Sequence, residues 1–170
     1  MDGWRTLAHH ATAPPPDWRE RLAARLGQRP RRVGVWAELA LHGALQCLED
    51  ADEASLPVGA FLCVASERGA ESATRAAIEQ LGHGLPLPFS FLQSQPSQML
   101  AALCQHLHWC GDARFVLSRD PQALLRLAQR EAGPAGLLLG WVDEGVPARS
   151  EWWRMVPGPA NGTRPAPMGK

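Results

Sequence analysis

The spacing of apolar residues changes repeatedly along this chain. Between Val33 and about Glu49, apolar side chains recur at Val35, Leu39, Leu41, Ala44, Leu45 and Leu48, close to the period of a helix. Val58 to Ala65 is instead an unbroken apolar run with the length of a buried strand. Ala113–Leu117 and Ala135–Val142 repeat that strand pattern, while 69–81, 98–109 and 121–132 return to helical spacing. Local chemistry marks the boundaries. Trp4 to Thr12 reads as an opening strand closed by Pro14-Pro15-Pro16. Asp17 can cap a short helix from Trp18 to Leu26 that stops at Gly27. Arg29-Pro30-Arg31-Arg32 is a basic turn, and Pro57 ends an acidic linker that begins at Glu49. Gly82 to Pro96, rich in Gly and Pro, reads as an ordered loop, with Ser97 as the cap of the helix after it. Asp120 followed by Pro121 is a strong helix start. Arg149 to Val156 reads as a last, more exposed strand.

Strands alternating with helices of ten or more residues predict an α/β protein. The expected architecture is a mixed, mostly parallel sheet of about five strands with helices on both faces. One domain over residues 1–156 and a Pro/Gly-rich disordered tail over 157–170 complete this reading.

Composition narrows the partner classes. With 170 residues, 45% of them hydrophobic, the chain is long enough to bury a core. Its 17 basic and 17 acidic residues cancel, which argues against a nucleic-acid partner. The longest apolar runs are strand-sized and too short to span a bilayer. The opening Met1-Asp2-Gly3-Trp4-Arg5, followed by a polar His pair, does not read as a leader. Four cysteines without a CxxC pair point to a reduced, cytoplasmic protein, where the Asn161-Gly162-Thr163 sequon has no meaning.

Candidate chemistry is sparse. On a continuous helix, Cys104 and His108 would stand at i,i+4 and could share a metal, with Cys110 arriving after a turn. The competing reading, a core helix end, is favoured because His106 points elsewhere and no second ligand pair follows. His9, His10 and His42 are isolated in sequence. No Gly-rich phosphate loop is present, and no cofactor motif. Ser118, at a strand-to-helix turn, lies in the positive field of a helix start, where nucleophiles and anions are often placed. The glycines of a G-x-S-x-G elbow are replaced by Val116 and Asp120, which favours a turn or cap role for Ser118.

Five strings together carry a resemblance. They are Pro16-Asp17-Trp18-Arg19; Arg29-Pro30-Arg31-Arg32 before a helix running on through Ala44-Leu45-Gln46-Cys47-Leu48; Pro88-Phe89-Ser90-Phe91-Leu92-Gln93-Ser94; the helix from Ser97 to Gly111; and Ala135 to Glu144. In this order, residues 4–156 resemble the N-terminal half of a thiolase-fold β-ketoacyl synthase. The nearest type is the small ketosynthase-like protein of bacterial aryl polyene and xanthomonadin pigment pathways. Aligned on the helix beginning at Gln122, the resemblance puts Ser118 where the family's catalytic cysteine belongs. The family's catalytic histidines lie in a C-terminal half that has no counterpart here, since the last histidine is His108. Condensation needs a thiolate and those histidines. The resemblance therefore implies a non-catalytic member, without cofactor, that binds a ketosynthase, an acyl carrier protein or the acyl chain. The alternative is a small acyl-thioester enzyme using Ser118, which would need a histidine within hydrogen-bonding reach.

Two expectations concern surfaces. On the helix after Ser118, Arg126, Gln129 and Arg130 oppose Leu124, Leu127 and Ala128, predicting one wet face. Ketosynthases pair through the strand before the nucleophile, so Arg114, Phe115 and Val116 are the expected interface residues, and a homodimer is the simplest pairing.

Overall fold

In the computed structural model, residues 3–84 and 88–159 are described. The apolar run at Val58 becomes strand β2 (Phe61–Ser66), buried along its whole length. It pairs in parallel with β3 (Ala113–Leu117) on one side and with β4 (Leu137–Asp143) on the other. Beyond β4 the sheet turns antiparallel, through β5 (Arg149–Pro157) to β1 (Trp4–His10). The order β1-β5-β4-β2-β3 makes one five-stranded mixed sheet, with two parallel and two antiparallel pairings. Its parallel character is confined to the β4-β2-β3 half, and β3 is an edge strand.

One face carries the larger core. Helix α2 (Gly34–Asp50), with α1 (Trp18–Leu26) and α5 (Pro96–His106), packs on Leu62, Val64, Leu138, Val142 and Trp152. Helix α6 (Pro121–Glu131) covers the opposite face over Phe61, Cys63, Ala65, Leu137 and Leu139. Helices α3 (Glu71–Gly82) and α4 (Pro88–Gln93) form a lobe at one side, and neither has a buried residue. No helix of the described residues is long and apolar enough to cross a membrane.

The local signals act as expected at two helix ends. Gly27 closes α1 in the left-handed conformation, which costs glycine nothing. Asp120 caps α6, its carboxylate accepting from the Gln122 and Ala123 amides at 2.9 and 3.0 Å. A cap of this kind contributes about 1 kcal/mol.

Elsewhere the structure corrects the sequence reading. Ser97 is not the cap of α5: the helix starts two residues earlier than expected, at Pro96, with Gln95 in the cap position and making no side-chain cap bond. Pro96 suits a first helical turn because its missing N–H is not needed there. The segment 82–96 is not all loop, since it holds α4. Strand β5 is not an exposed edge. It lies between β1 and β4 with Ser150, Trp152, Arg154 and Met155 buried. Pro157 belongs to β5, opposite Trp4, so the strand runs one residue into the expected tail, whose residues 160–170 lie outside the described ones. On α6, Leu124 and Ala128 face the sheet, whereas Leu127 shares the exposed surface with Arg126 and Arg130. One wet face is present, but Leu127 is on it.

Candidate functional site

In open α/β sheets, ligands sit beyond the carboxyl ends of parallel strands. Here that rim is formed by the ends of β3, β2 and β4, which bring together Ser118, Ser66 and Asp143. The Ser118 amide donates to the Ser66 carbonyl at 3.0 Å, so the turn after β3 continues the parallel ladder by one bond. The Ser118 hydroxyl accepts from the Asp120 amide at 3.1 Å and donates to the Asp120 carbonyl at 3.2 Å. It closes a local turn that feeds Asp120 into its cap position. No histidine among the described residues hydrogen-bonds to it.

Beside it, Ser66 is fully buried. Its hydroxyl donates to Asp143 Oδ1 at 2.5 Å and accepts from the Gly69 amide at 2.7 Å. The same carboxylate oxygen accepts from the amides of Glu67 at 2.9 Å and Arg68 at 3.3 Å. Asp143 Oδ2 accepts from Trp141 Nε1 at 2.7 Å. Consecutive backbone N–H groups of this kind form a concavity that favours an anion. The chain's own carboxylate fills it. Glu144, the next residue, accepts from the Ser72 amide and hydroxyl at 2.6 and 3.0 Å, tying the start of α3 to the end of β4. Sequence reasoning missed this cluster. The adjacent acids Asp143-Glu144 at the end of an apolar strand were the available signal.

Clefts open both at this rim, beside Ser72 and Glu144, and away from it, beside β1 and α1. One of about 420 Å³ lies between the start of α2 and the α3–α4 lobe, lined by Arg29, Arg32, Trp36, Ser72 and Gln93 among others. Buried Glu38 in its wall is paired with both Arg19 (3.2 Å) and Arg29 (3.0 Å). A smaller cavity of about 280 Å³ is lined by His10, Thr12, Arg21, His42 and Gln46. His10 hydrogen-bonds to Asp50 at 2.9 Å. Burial, reinforced by the charges of His10, Arg21 and Arg25, pushes His42 below the ordinary histidine range, which keeps it neutral at neutral pH.

The Cys104, His108 and Cys110 arrangement is not the one that helical spacing suggested. Helix α5 ends at His106, and His108 takes the left-handed conformation with φ 51°. The Trp109 amide bonds to the Cys104 carbonyl at 2.7 Å and the His108 amide to the Gln105 carbonyl at 3.4 Å. This Schellman-type ending rotates His108 off the helix face that holds Cys104. Among the described residues, no three His, Cys, Asp or Glu side chains gather as a metal-holding group.

None of the four thiols lies at the β3–α6 turn. Burial raises Cys47 to about 12 and Cys63 to about 11, whereas Cys110 is exposed. Since the thiolate is the reactive form, alkylation of the native protein at pH 8 should modify Cys110 first and Cys104 more slowly. Cys47 and Cys63 should become reactive only on unfolding. Peptide mapping that finds Cys47 or Cys63 labelled as fast as Cys110 would contradict this burial.

No protein-family model matches the chain, and no curated protein does. Solved structures do, and two of them are ketosynthase and chain length factor structures. One is the ketosynthase ApeO in complex with its chain length factor ApeC from Xenorhabdus doucetiae, with a TM-score of 0.66 at 14% identity over 93% of this chain and 80% of that one. The other is the ishigamide ketosynthase/chain length factor, with a TM-score of 0.55 at 14% identity over 83% of this chain and 47% of that one. The chain thus spans about half the length of the ishigamide chain but most of the chain matched in the Xenorhabdus complex. In fold, this chain is a ketosynthase-like α/β domain of the kind found in these two ketosynthase and chain length factor structures.

Proposed function

We propose that this chain is a non-catalytic, chain-length-factor-like subunit that binds a β-ketoacyl synthase in bacterial polyketide or fatty-acid-type biosynthesis of the aryl polyene pigment kind. The observation that carries this reading is the near full-length match, in both directions, to a chain from a ketosynthase–chain length factor complex. Two features of the strand-end rim support a binding role over a catalytic one. Ser118, which the resemblance puts in the place of the family's nucleophile, has its hydroxyl committed to the Asp120 backbone. Asp143 occupies the amide concavity where a substrate anion would have to sit. The competing reading, an acyl-thioester enzyme using Ser118, has no base bonded to that hydroxyl among the described residues. Acyl carrier protein is the second partner this reading implies, reaching the site through the synthase.

The proposed contact is the free edge of β3. Its outward N–H and C=O groups are a template for a strand of another chain. Arg114 is exposed on this edge, bonded to Glu131 at 3.0 Å and lying over the Phe61 ring, with Phe115 and Val116 half-buried beside it. Leu117 is 66% exposed. Co-expression with the ketosynthase encoded nearest to this chain should yield a 1:1 complex by light scattering. The double variant Arg114→Glu/Leu117→Asp should weaken it at least about tenfold, equivalent to ~1.4 kcal/mol. Absence of any complex at tens of micromolar, where even weak specific pairs associate, would defeat the proposal. A homodimer through the same edge, surviving with the synthase present, would defeat it equally.

A further inference from the structure

The α3–α4 lobe carries the largest concentration of exposed apolar side chains in the described residues. Ile78, Leu81, Phe89, Phe91 and Leu92 are 65%, 63%, 52%, 60% and 42% exposed. Single exposed apolar residues need no explanation, but five on two helices packed against each other are a concentration of the kind that marks an interaction site. The inward side of the lobe is small and polar by comparison. Ala73, Ala76 and Gln80 are only half-buried, and Gln80 bonds to Ser90 at 3.1 Å across the two helices. A lobe that turns its large apolar groups outward and its small ones inward is built to be covered.

We infer that the covering surface belongs to the ketosynthase subunit, as an apolar patch with an acidic rim. This rests on the proposed function above and extends its contact beyond the strand edge. Three observations select that occupant. First, β3 has five residues and is about 17 Å long, too small by itself for the roughly 800 Å² that each partner of a stable complex buries. Second, the lobe is the next surface along from that edge. Phe115 of β3 meets Trp36 edge-on at 5.4 Å between ring centroids, and Trp36 lines the same cleft as Ser90 and Gln93 of α4. A partner seated on β3 and extending over this cleft reaches the lobe. Third, the rim beside Phe89 of α4 is cationic, while Glu71 and Glu79 stand on α3. Arg32 lies over the Phe89 ring at 5.5 Å, and among the described residues neither Arg32 nor its neighbour Arg31 forms an ion pair. Carboxylates on the partner would complement them and speed association at low salt.

The test compares the wild-type protein with Ile78→Asp/Phe91→Asp, whose side chains are exposed and whose unfolding midpoint should match wild type. With the ketosynthase encoded nearest to this chain as the partner, the double variant should bind at least about tenfold more weakly. Equal binding by wild type and variant would overturn the inference while leaving the β3 contact and the proposed function intact. No binding by the wild type would overturn the proposed function, and this inference with it. Concentration-dependent self-association of the wild type, lost in the variant, would assign the lobe to a second copy of the chain and overturn the inference. If the variant does not fold, hydrogen exchange on the wild-type complex decides. Protection of residues 71–82 and 88–93 on adding the synthase supports the inference, and protection confined to 113–117 refutes it.

Discussion

Replacing Arg154 with alanine is expected to lower folding stability by about 3–5 kcal/mol, the range seen when one member of a buried ion pair is removed. Arg154 is 1% exposed in the middle of the sheet. Its Nε donates to Glu53 Oε2 at 2.6 Å and its Nη2 to Glu53 Oε1 at 2.9 Å, a bidentate pair. Nη1 donates to the carbonyl oxygens of Met155 at 2.9 Å and Leu137 at 3.4 Å. Truncation leaves a carboxylate and two carbonyl groups without their donor. Glu53 lies on the acidic linker after α2, so the pair also anchors that linker to β5. Urea unfolding should show the loss, and a decrease below about 1 kcal/mol would mean that water reaches the site and replaces the guanidinium. A double-mutant cycle adds a second check. Arg154→Met with Glu53→Leu removes both charges and should recover most of the stability that Arg154→Ala loses.

The second large effect runs against intrinsic propensity. Glycine inside a helix is worth about 1 kcal/mol less than alanine, so Gly43→Ala in α2 would be expected to stabilise an isolated helix. In this protein it should destabilise by about 1–3 kcal/mol, the cost of overpacking a tight core. A Cβ on Gly43 would stand 2.2 Å from Ser150 Oγ and 2.4 Å from Trp152 Nε1. Those two atoms belong to one buried chain of hydrogen bonds. Trp152 donates to Ser150 at 3.1 Å, and Ser150 donates to the Leu39 carbonyl at 3.1 Å. The methyl can enter only if that chain breaks or α2 lifts from the sheet. Gly82→Ala is the control, since nothing lies within 4 Å of its Cβ position, and it should be neutral or mildly stabilising. Thermal unfolding of both variants decides the point. A Gly43→Ala protein as stable as wild type would show that α2 and β5 are less closely packed than these distances require.

These two sites also show where the candidate functional rim gets its rigidity. Gly43 and Arg154 hold α2, the acidic linker and β5 in one block, against which β4 presents Asp143. The carboxylate stays in its amide concavity because β2 and β4, buried up to Ser66 and Val142, set the Glu67–Arg68 turn and Asp143 side by side.

What the sequence alone determined was local. Buried strands follow from short unbroken apolar runs and helices from a period of 3.6, and Gly27 and the Asp120-Pro121 pair mark helix ends because a cap involves only residues two or three apart. The order of these elements, with the five short strings, was enough to expect a ketosynthase-like α/β domain, and the fold is of that kind. Sequence alone also placed Ser118 at a turn, though not what its hydroxyl bonds to. The tertiary structure decided whatever depends on distant partners. Arg149 to Val156 reads as a more exposed strand, but Glu53, 101 residues away in sequence, makes Arg154 within it a core residue. Asp143 gained its role from Ser66, 77 residues away. His108 left the face of Cys104 through a Schellman-type ending that no helical wheel contains. The outward-facing apolar lobe of α3 and α4 was likewise invisible, since Ile78 and Leu81 fit a core-facing stripe as well as a docking face. Periodicity says which side chains share a face, and only the packed neighbours say what that face meets.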